Sequence, residues 1–383
     1  MVAHDEEAHA LLDEHELCSD GSSVRDDRAL SSAYTAQFSH RFKRSCVVRW
    51  VVALIVVSLL SIFGAFIYHA REQSSETGQD TPLGYRLHAQ EHISRPPKTL
   101  VYNWNITAGI RSPDGVEKRV YLINAPTDEF PGPVIEARSS DRVVVHVHNG
   151  LSQEGLSIHW HGLRMKNQNG MDGAVGFTQS PILPGDSFNY NLTIGDDEYG
   201  TFWWHSHSDV QRADGLWGGL VVHSPDESNQ QPEDYLIMIG DWFHRNQTEV
   251  LSWFADASSR GNEPVPDSLL VNGQGRFDCS MAVPARPVVC SQVTMNELKP
   301  LFRQTNDRRA RIRVVNTGSI AGLTIRIDAA MMRPVRVDGG FDVHSEATEA
   351  VGILYPGERV DIDVQWKDNQ APNHWFTVYM DDE

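Results

Sequence analysis

Part of this chain is written twice. LSIHWHGL (156–163) aligns with LTIRIDAA (323–330) at an offset of 167. LPGDSFNYNL (183–192) aligns with YPGERVDIDV (355–364) at an offset of 172, and the same offset lays Trp203 over Trp375. A period this long signals duplicated domains rather than a solenoid. Within each copy the residues run as short alternating strands punctuated by turns, as in Arg142-VVVHVHNG, where Asn149-Gly150 reads as a hairpin-type turn. No long helical stretch follows Thr99, so two all-β sandwiches are expected, residues 97–227 and 228–383, joined near the polar stretch HSPDESNQQPED (223–234).

The residues before the first copy read differently. Residues 1–45 hold nine acids and five bases without apolar periodicity and are expected to be a disordered cytosolic tail. Within it, Glu7 to Leu12 has the form of an acidic dileucine sorting signal, a pattern short enough to arise by chance. Trp50 to Tyr68 carries no charge and, as a helix, rises about 28 Å, close to a bilayer's hydrocarbon thickness. It predicts a transmembrane signal-anchor over residues 46–69. Arg41, Lys43, Arg44 and Arg49 precede the run and Arg71 follows it, which places the tail in the cytosol and the rest in the lumen or outside the cell. Three sequons, at Asn105, Asn191 and Asn246, and an isolated pair, Cys279 and Cys290, agree with an oxidising compartment. Residues 70–96 are polar and contain Pro and Gly, and are expected to be a stalk. The net charge of −18 over 383 residues argues against nucleic acid, whose phosphates are held by clustered Lys and Arg.

What differs between the copies points to chemistry. His159 and His161 of the first face Arg326 and Asp328 of the second, and His205 and His207 face Thr377 and Tyr379. Core positions persist while imidazoles do not, so packing does not explain them. In a strand, residues i and i+2 share a face, so His159-Trp-His161 and His205-Ser-His207 each present two imidazoles side by side. Imidazole suits copper, zinc, iron and nickel. A zinc hydrolase would want three ligands, a bound water and a base, which two strand pairs suit less well.

SIHWHGL and GTFWWHSHSD, with EFPGPVIEA and NQNGMDG, resemble the first half of a multicopper oxidase, the group of laccases, ascorbate oxidases and ferroxidases, over about residues 97–383. The resemblance implies tandem cupredoxin-like Greek-key sandwiches and copper. It implies His159 as a type 2 copper ligand, His161, His205 and His207 as type 3 ligands, and Asp172 as an acid that assists proton delivery. It further implies dioxygen and a small reducing substrate, phenol-like or a metal ion, as partners. The family's His-Pro-x-His-x-His and His-Cys-His motifs do not occur in this sequence. The expectation is therefore half of a trinuclear cluster, no type 1 site, a missing third domain and a chain inactive alone, either truncated or a natural half-enzyme. Ala213 stands where ferroxidases carry an iron-contacting Glu, which favours a laccase-like role. The rival reading is a membrane-anchored copper- or partner-binding module without catalysis. Arg308, Arg309, Arg311 and Arg313 alternate with apolar residues and are expected on a solvated face, and Asn272-Gly-Gln-Gly as a turn.

Overall fold

The computed structural model describes residues 83–124, 128–227, 233–294, 297, 299–302, 308–367 and 374–381, together with Ser58, Ser61 and Gly64. The first sandwich is built from β2 (Thr99–Arg111), β3 (Lys118–Asn124), β4 (Asp128–Glu129), β5 (Ile135–Arg138), β6 (Arg142–Asn149), β7 (Ile158–His161), β8 (Ser187–Thr193), β9 (Gly200–Ser206) and β10 (Trp217–His223). One sheet has the order β4-β3-β2-β6-β8 and the other β5-β10-β9-β7. The second sandwich uses β11 (Asp234–Trp242), β12 (Ser268–Val271), β13 (Gln274–Gly275), β14 (Arg309–Asn316), β15 (Leu323–Ile327), β16 (Ala330–Val337), β17 (Phe341–Asp342), β18 (Ala350–Leu354), β19 (Arg359–Trp366) and β20 (Phe376–Met380). Its larger sheet runs β13-β12-β11-β14-β19-β16-β17 and its smaller one β18-β15-β20.

The duplication holds down to the register. His159 pairs with His205 across β7 and β9, and Arg326 pairs with Thr377 across β15 and β20, the positions that the two offsets connect. Trp160 opposite Trp204 becomes Ile327 opposite Phe376. The polar braces repeat as well. Asn149 Nδ2 donates to the carbonyls of Glu154 and Ile182 and Asn316 Nδ2 to those of Ala321 and Leu354, while each side-chain oxygen accepts the amide two residues on. Asn149-Gly150 is thus not a tight hairpin turn. β6 pairs with β8 rather than with β7, and Asn149 holds together the loop that leaves the strand. The Asn272-Gly273 turn does join a hairpin, β12 to β13, with positive φ at both residues (46° and 77°), as a type I′ turn demands.

Each sandwich closes on its own apolar centre, around Trp104, Trp160, Trp204 and Ile158 in the first and around Ile312, Leu323, Met332 and Ile362 in the second. A third cluster, with Trp203, Trp217 and Val221 from the first and Leu236, Met238 and Val315 from the second, cements the two together. This covering layer overturns two expectations. The face of β14 expected in water is roofed by the first sandwich. Arg313 is fully buried and bound to Asp234 (2.8 Å), Asp361 (3.3 Å) and Glu227 (3.5 Å), and Arg311 pairs with Glu227 at 2.9 Å. Charges taken from water persist only when partnered, and here acids stand on every side. The expected stalk also ends early. From Leu83 the chain folds back: β1 (Tyr85–Arg86) pairs with β11, Leu87 is buried in the inter-sandwich cluster, and α1 (Ala89–Ile93) follows. Leu83, Tyr85 and Leu87 alternate, so one edge of the segment can bury apolar groups.

Cys279 and Cys290 are disulfide-bonded. The expected membrane span lies outside the described residues apart from Ser58, Ser61 and Gly64, which are helical; the tail lies outside them altogether. Among the described residues no helix is long and apolar enough to cross a membrane.

Candidate metal centre

The histidines follow from two neighbouring strands. β7 reads Ile-His-Trp-His, with Ile158 and Trp160 fully buried in the core and His159 and His161 on the opposite face. β9 runs antiparallel beside it, so His205 falls directly across from His159, and Trp203 across from His161. His207 lies just past the end of β9 and is exposed, yet its ring stays over the same face, 5.3 Å from that of His159 and 6.0 Å from that of His205. Donor atoms of His159, His161 and His205 lie within 4.8 Å of one another. All four predicted imidazoles thus converge, three tightly and the fourth at the rim.

Hydrogen bonds fix which nitrogen of His159 and of His205 faces the centre. His159 Nδ1 donates to the backbone carbonyl of Asp172 at 2.8 Å, with the Asp172 carboxylate 3.3 Å away, leaving Nε2 as a lone pair. His205 Nδ1 donates to the carbonyl of Ser206 at 2.8 Å, which leaves a lone pair on its Nε2, and His161 Nδ1 lies 3.3 Å from that nitrogen. Asp172 follows a short turn, Asn169–Met171, and lies against the cluster through its contacts with His159. Burial drives the His161 pKa down to about 3, aided by the nearby Arg359 charge, and burial lowers His205 well below its ordinary range. His159 is lowered too, by burial, with Asp172 opposing. Neutral imidazoles with lone pairs turned inward are the state that metals bind. The donor set therefore fits copper, the borderline ion that the motifs imply.

The walls bring in residues that sequence reasoning missed, apart from Trp203, which flanks the second histidine pair in the sequence. Trp203 lies under His161 and His205, with ring centroids 5.0 and 4.3 Å apart, and Arg212 lies over Trp203. A cleft of ≈ 560 Å³ opens from the histidines toward Phe243, Leu251 and Phe254. The second sandwich closes one side with Ser319, Ile320, Pro356 and Gly357. A Cβ on Gly357 would stand 3.0 Å from the His161 ring, at a φ of +93°. The only sequence signal for this contact is that Pro356-Gly357 aligns with Pro184-Gly185, and alignment does not say what a turn packs against.

With this geometry in hand, the comparisons with known proteins agree. Two family patterns, both described as multicopper oxidase, match residues 105–227 and 233–383. Laccase-1 of Cryptococcus neoformans is 38% identical over 285 residues, covering 73% of this chain and 43% of the relative. The L-ascorbate oxidase of Cucumis sativus is 31% identical over 297 residues, covering 74% and 48%. Among solved structures, Fet3p, described as a multicopper oxidase that functions in iron import, superposes with a TM-score of 0.63 at 26% identity, over 74% of this chain and 49% of that one. The laccase from Botrytis aclada gives 0.61 at 29%, over 76% and 50%. The chain spans about half the length of the curated relatives it matches. By pattern, by relatives and by fold, the chain belongs to the multicopper oxidase family.

Proposed function

We propose that residues 97–383 form the copper-binding portion of a laccase-like oxidase, with His159 holding a type 2 copper and His161, His205 and His207 holding type 3 coppers. The observation that carries this reading is the convergence of three imidazole donors within 4.8 Å. Bound copper supplies one-electron redox chemistry toward dioxygen. The protein's own contribution is positional. Asp172 fixes the His159 tautomer through its carbonyl and keeps a carboxylate, 23% exposed, beside the ring where it can hold a proton. Trp203, fully buried, closes the floor of the site to water.

The quartet supplies at most half of the imidazoles that a trinuclear cluster takes in this family. The remaining ligands, and the type 1 copper that collects electrons from substrate, are not among the motifs of this sequence. We therefore place oxidation of a phenol-like reductant in an assembly of these two sandwiches with a further copper-bearing domain. Ala213, in the short turn beside the cleft, offers no carboxylate to iron, which favours an organic reductant over a metal ion. Anchoring by the apolar run at 50–68, a lumenal or extracellular setting and glycans on the sequons belong to the same proposal. The alternative is a copper- or partner-binding module without turnover, which the departures in motif content favour.

Copper titration of the full chain tests the ligand assignment. His161→Ala with His205→Ala is expected to weaken cupric-ion binding at least tenfold, while His146→Ala with His148→Ala, a surface His-x-His pair on β6, leaves it unchanged. Equal copper in parent and quartet variant overturns the assignment.

A further inference from the structure

A second group of imidazoles lies at the other end of the same sheet. β5 and β10 are parallel neighbours, with Arg138 opposite His223. Ile135, Ala137, Leu220 and Val222 enter the core, so Glu136 and His223 occupy the opposite face. α1 lies over them. His88, the residue before its first turn, and His92 are four apart and so fall on one side of the helix. Trp217 is opposite His205, and His223 is six residues farther along β10, about 20 Å from the quartet at a strand's rise.

Three imidazoles converge on the Glu136 carboxylate. His223 Nε2 is 3.0 Å from Glu136 Oε2, His92 Nε2 is 3.9 Å from the same oxygen, and His88 Nδ1 is 3.1 Å from Oε1. Donor atoms of His92, Glu136 and His223 all lie within 4.8 Å of one another. A tetrahedral zinc ion with ligand distances of about 2.0–2.2 Å sets its donors roughly 3.3–3.5 Å apart. Two of the three contacts to Glu136 fall just inside that spacing and the third just outside it.

We propose that His88, His92, Glu136 and His223 form a second divalent-cation site, of the zinc type, that pins the Leu83–Ile93 segment to the first sandwich. Hydrogen bonding alone leaves the group incomplete. At 3.9 Å His92 Nε2 is beyond hydrogen-bond reach of Glu136. The His223 side chain is fully buried, and among the described residues its Nδ1 has no partner and its Nε2 meets Glu136. Arg95 donates to His92 Nδ1 at 3.1 Å and also holds Asp141 through both terminal nitrogens. Ion uptake at Nε2 places the ring proton on Nδ1, displacing that one contact while Arg95 keeps Asp141. The ligand set is nitrogen and carboxylate oxygen without sulfur, which suits zinc over cuprous copper. Nothing in this site depends on how the quartet is read.

The test uses zinc ion alone with the full chain carrying His161→Ala and His205→Ala, so that the quartet does not compete. Equilibrium dialysis is expected to find one bound zinc at micromolar concentration. Glu136→Gln or His92→Ala weakens it at least tenfold, and zinc slows amide exchange across residues 83–93 only in the parent. His88→Ala guards against a folding artefact, because its ring is 55% exposed; it retains the parent's circular dichroism and weakens zinc threefold or more. Parent-like zinc binding in Glu136→Gln, or a folded parent that takes up no zinc, overturns the site and leaves a hydrogen-bonded latch.

Discussion

β6 of the first sandwich and β14 of the second are the same strand in two copies, and they meet water differently. The offset of 167 that joins Asn149 to Asn316 also joins His146 to Arg313 and Val144 to Arg311. Both strands put alternate residues into their own core: Val143, Val145 and Val147 in one, Ala310, Ile312 and Val314 in the other. On the opposite face, β6 presents Arg142, Val144, His146 and His148 at or near the surface. β14 presents Arg311 and Arg313 to a roof made by the first sandwich, where Thr201 Oγ1 donates to Asp361 beside them. Alternation tells which residues share a face. It does not tell which face another domain will cover.

Truncating the two equivalent residues gives the widest expected contrast. Arg313→Ala strands Asp234 and Asp361 as buried acids without their counter-charge and is expected to remove about 3–5 kcal/mol of stability. His146→Ala, at the partly exposed position, stays within about 0.5 kcal/mol. Urea unfolding of both variants measures the difference, and similar losses would mean that the roof over β14 is wrong.

Acid probes the same roof. Burial raises the Glu227 pKa, but Arg313, Arg336 and Arg311 outweigh it and bring the group from 4.5 to about 2. A carboxylate lowered by folding contributes stability above its unfolded pKa. That contribution, about 3 kcal/mol, is present above pH 4.5 and drains away as pH falls toward 2. Glu227→Gln is expected to start less stable at pH 7 and then to lose less between pH 5 and pH 3 than the parent. A slope equal to the parent's would place Glu227 in water.

The smallest contrast concerns the two Pro-Gly turns. Gly185 and Gly357 have φ of +83° and +93°, so alanine at either is strained by about 1–2 kcal/mol. Only Gly357 faces a histidine; an added Cβ at Gly185 meets open space. Gly357→Ala is therefore expected to weaken copper binding severalfold through a displaced His161, and Gly185→Ala to leave it unchanged. Calorimetric copper titration of the pair decides whether the copy without ligands helps to shape the site.

These contrasts also mark what the residues disclose on their own. The convergence of the four imidazoles was legible because strand geometry is local: two residues on one strand share a face, and a duplicate lacking the imidazoles removes packing as their reason. The two sandwiches were legible for a similar reason, since the same strand pattern recurs at one offset. The burial of Arg313 was not, because its partners Asp234 and Asp361 lie 79 and 48 residues away and the roof is a different domain. The wall formed by Gly357 depends in the same way on inter-domain docking. The folding back of Leu83–Ile93 left a faint trace, alternation at Leu83, Tyr85 and Leu87, too short to outweigh the polar residues around it. His223 and Glu136 read as ordinary strand residues until α1 is laid across them.

The pairing of Tyr85 with Leu236 has a consequence for biosynthesis. The ribosome delivers β1 before any strand of either sandwich, yet β11, the edge it joins, emerges some 150 residues later. Until then Tyr85 lacks its strand partner, and the inter-sandwich cluster around Leu87 has only its first-sandwich members, Trp203, Trp217 and Val221. Closure of that flank is thus a late event, set by translation of the second copy. Before it, the flank is exposed apolar surface of the kind that makes incompletely folded chains prone to associate.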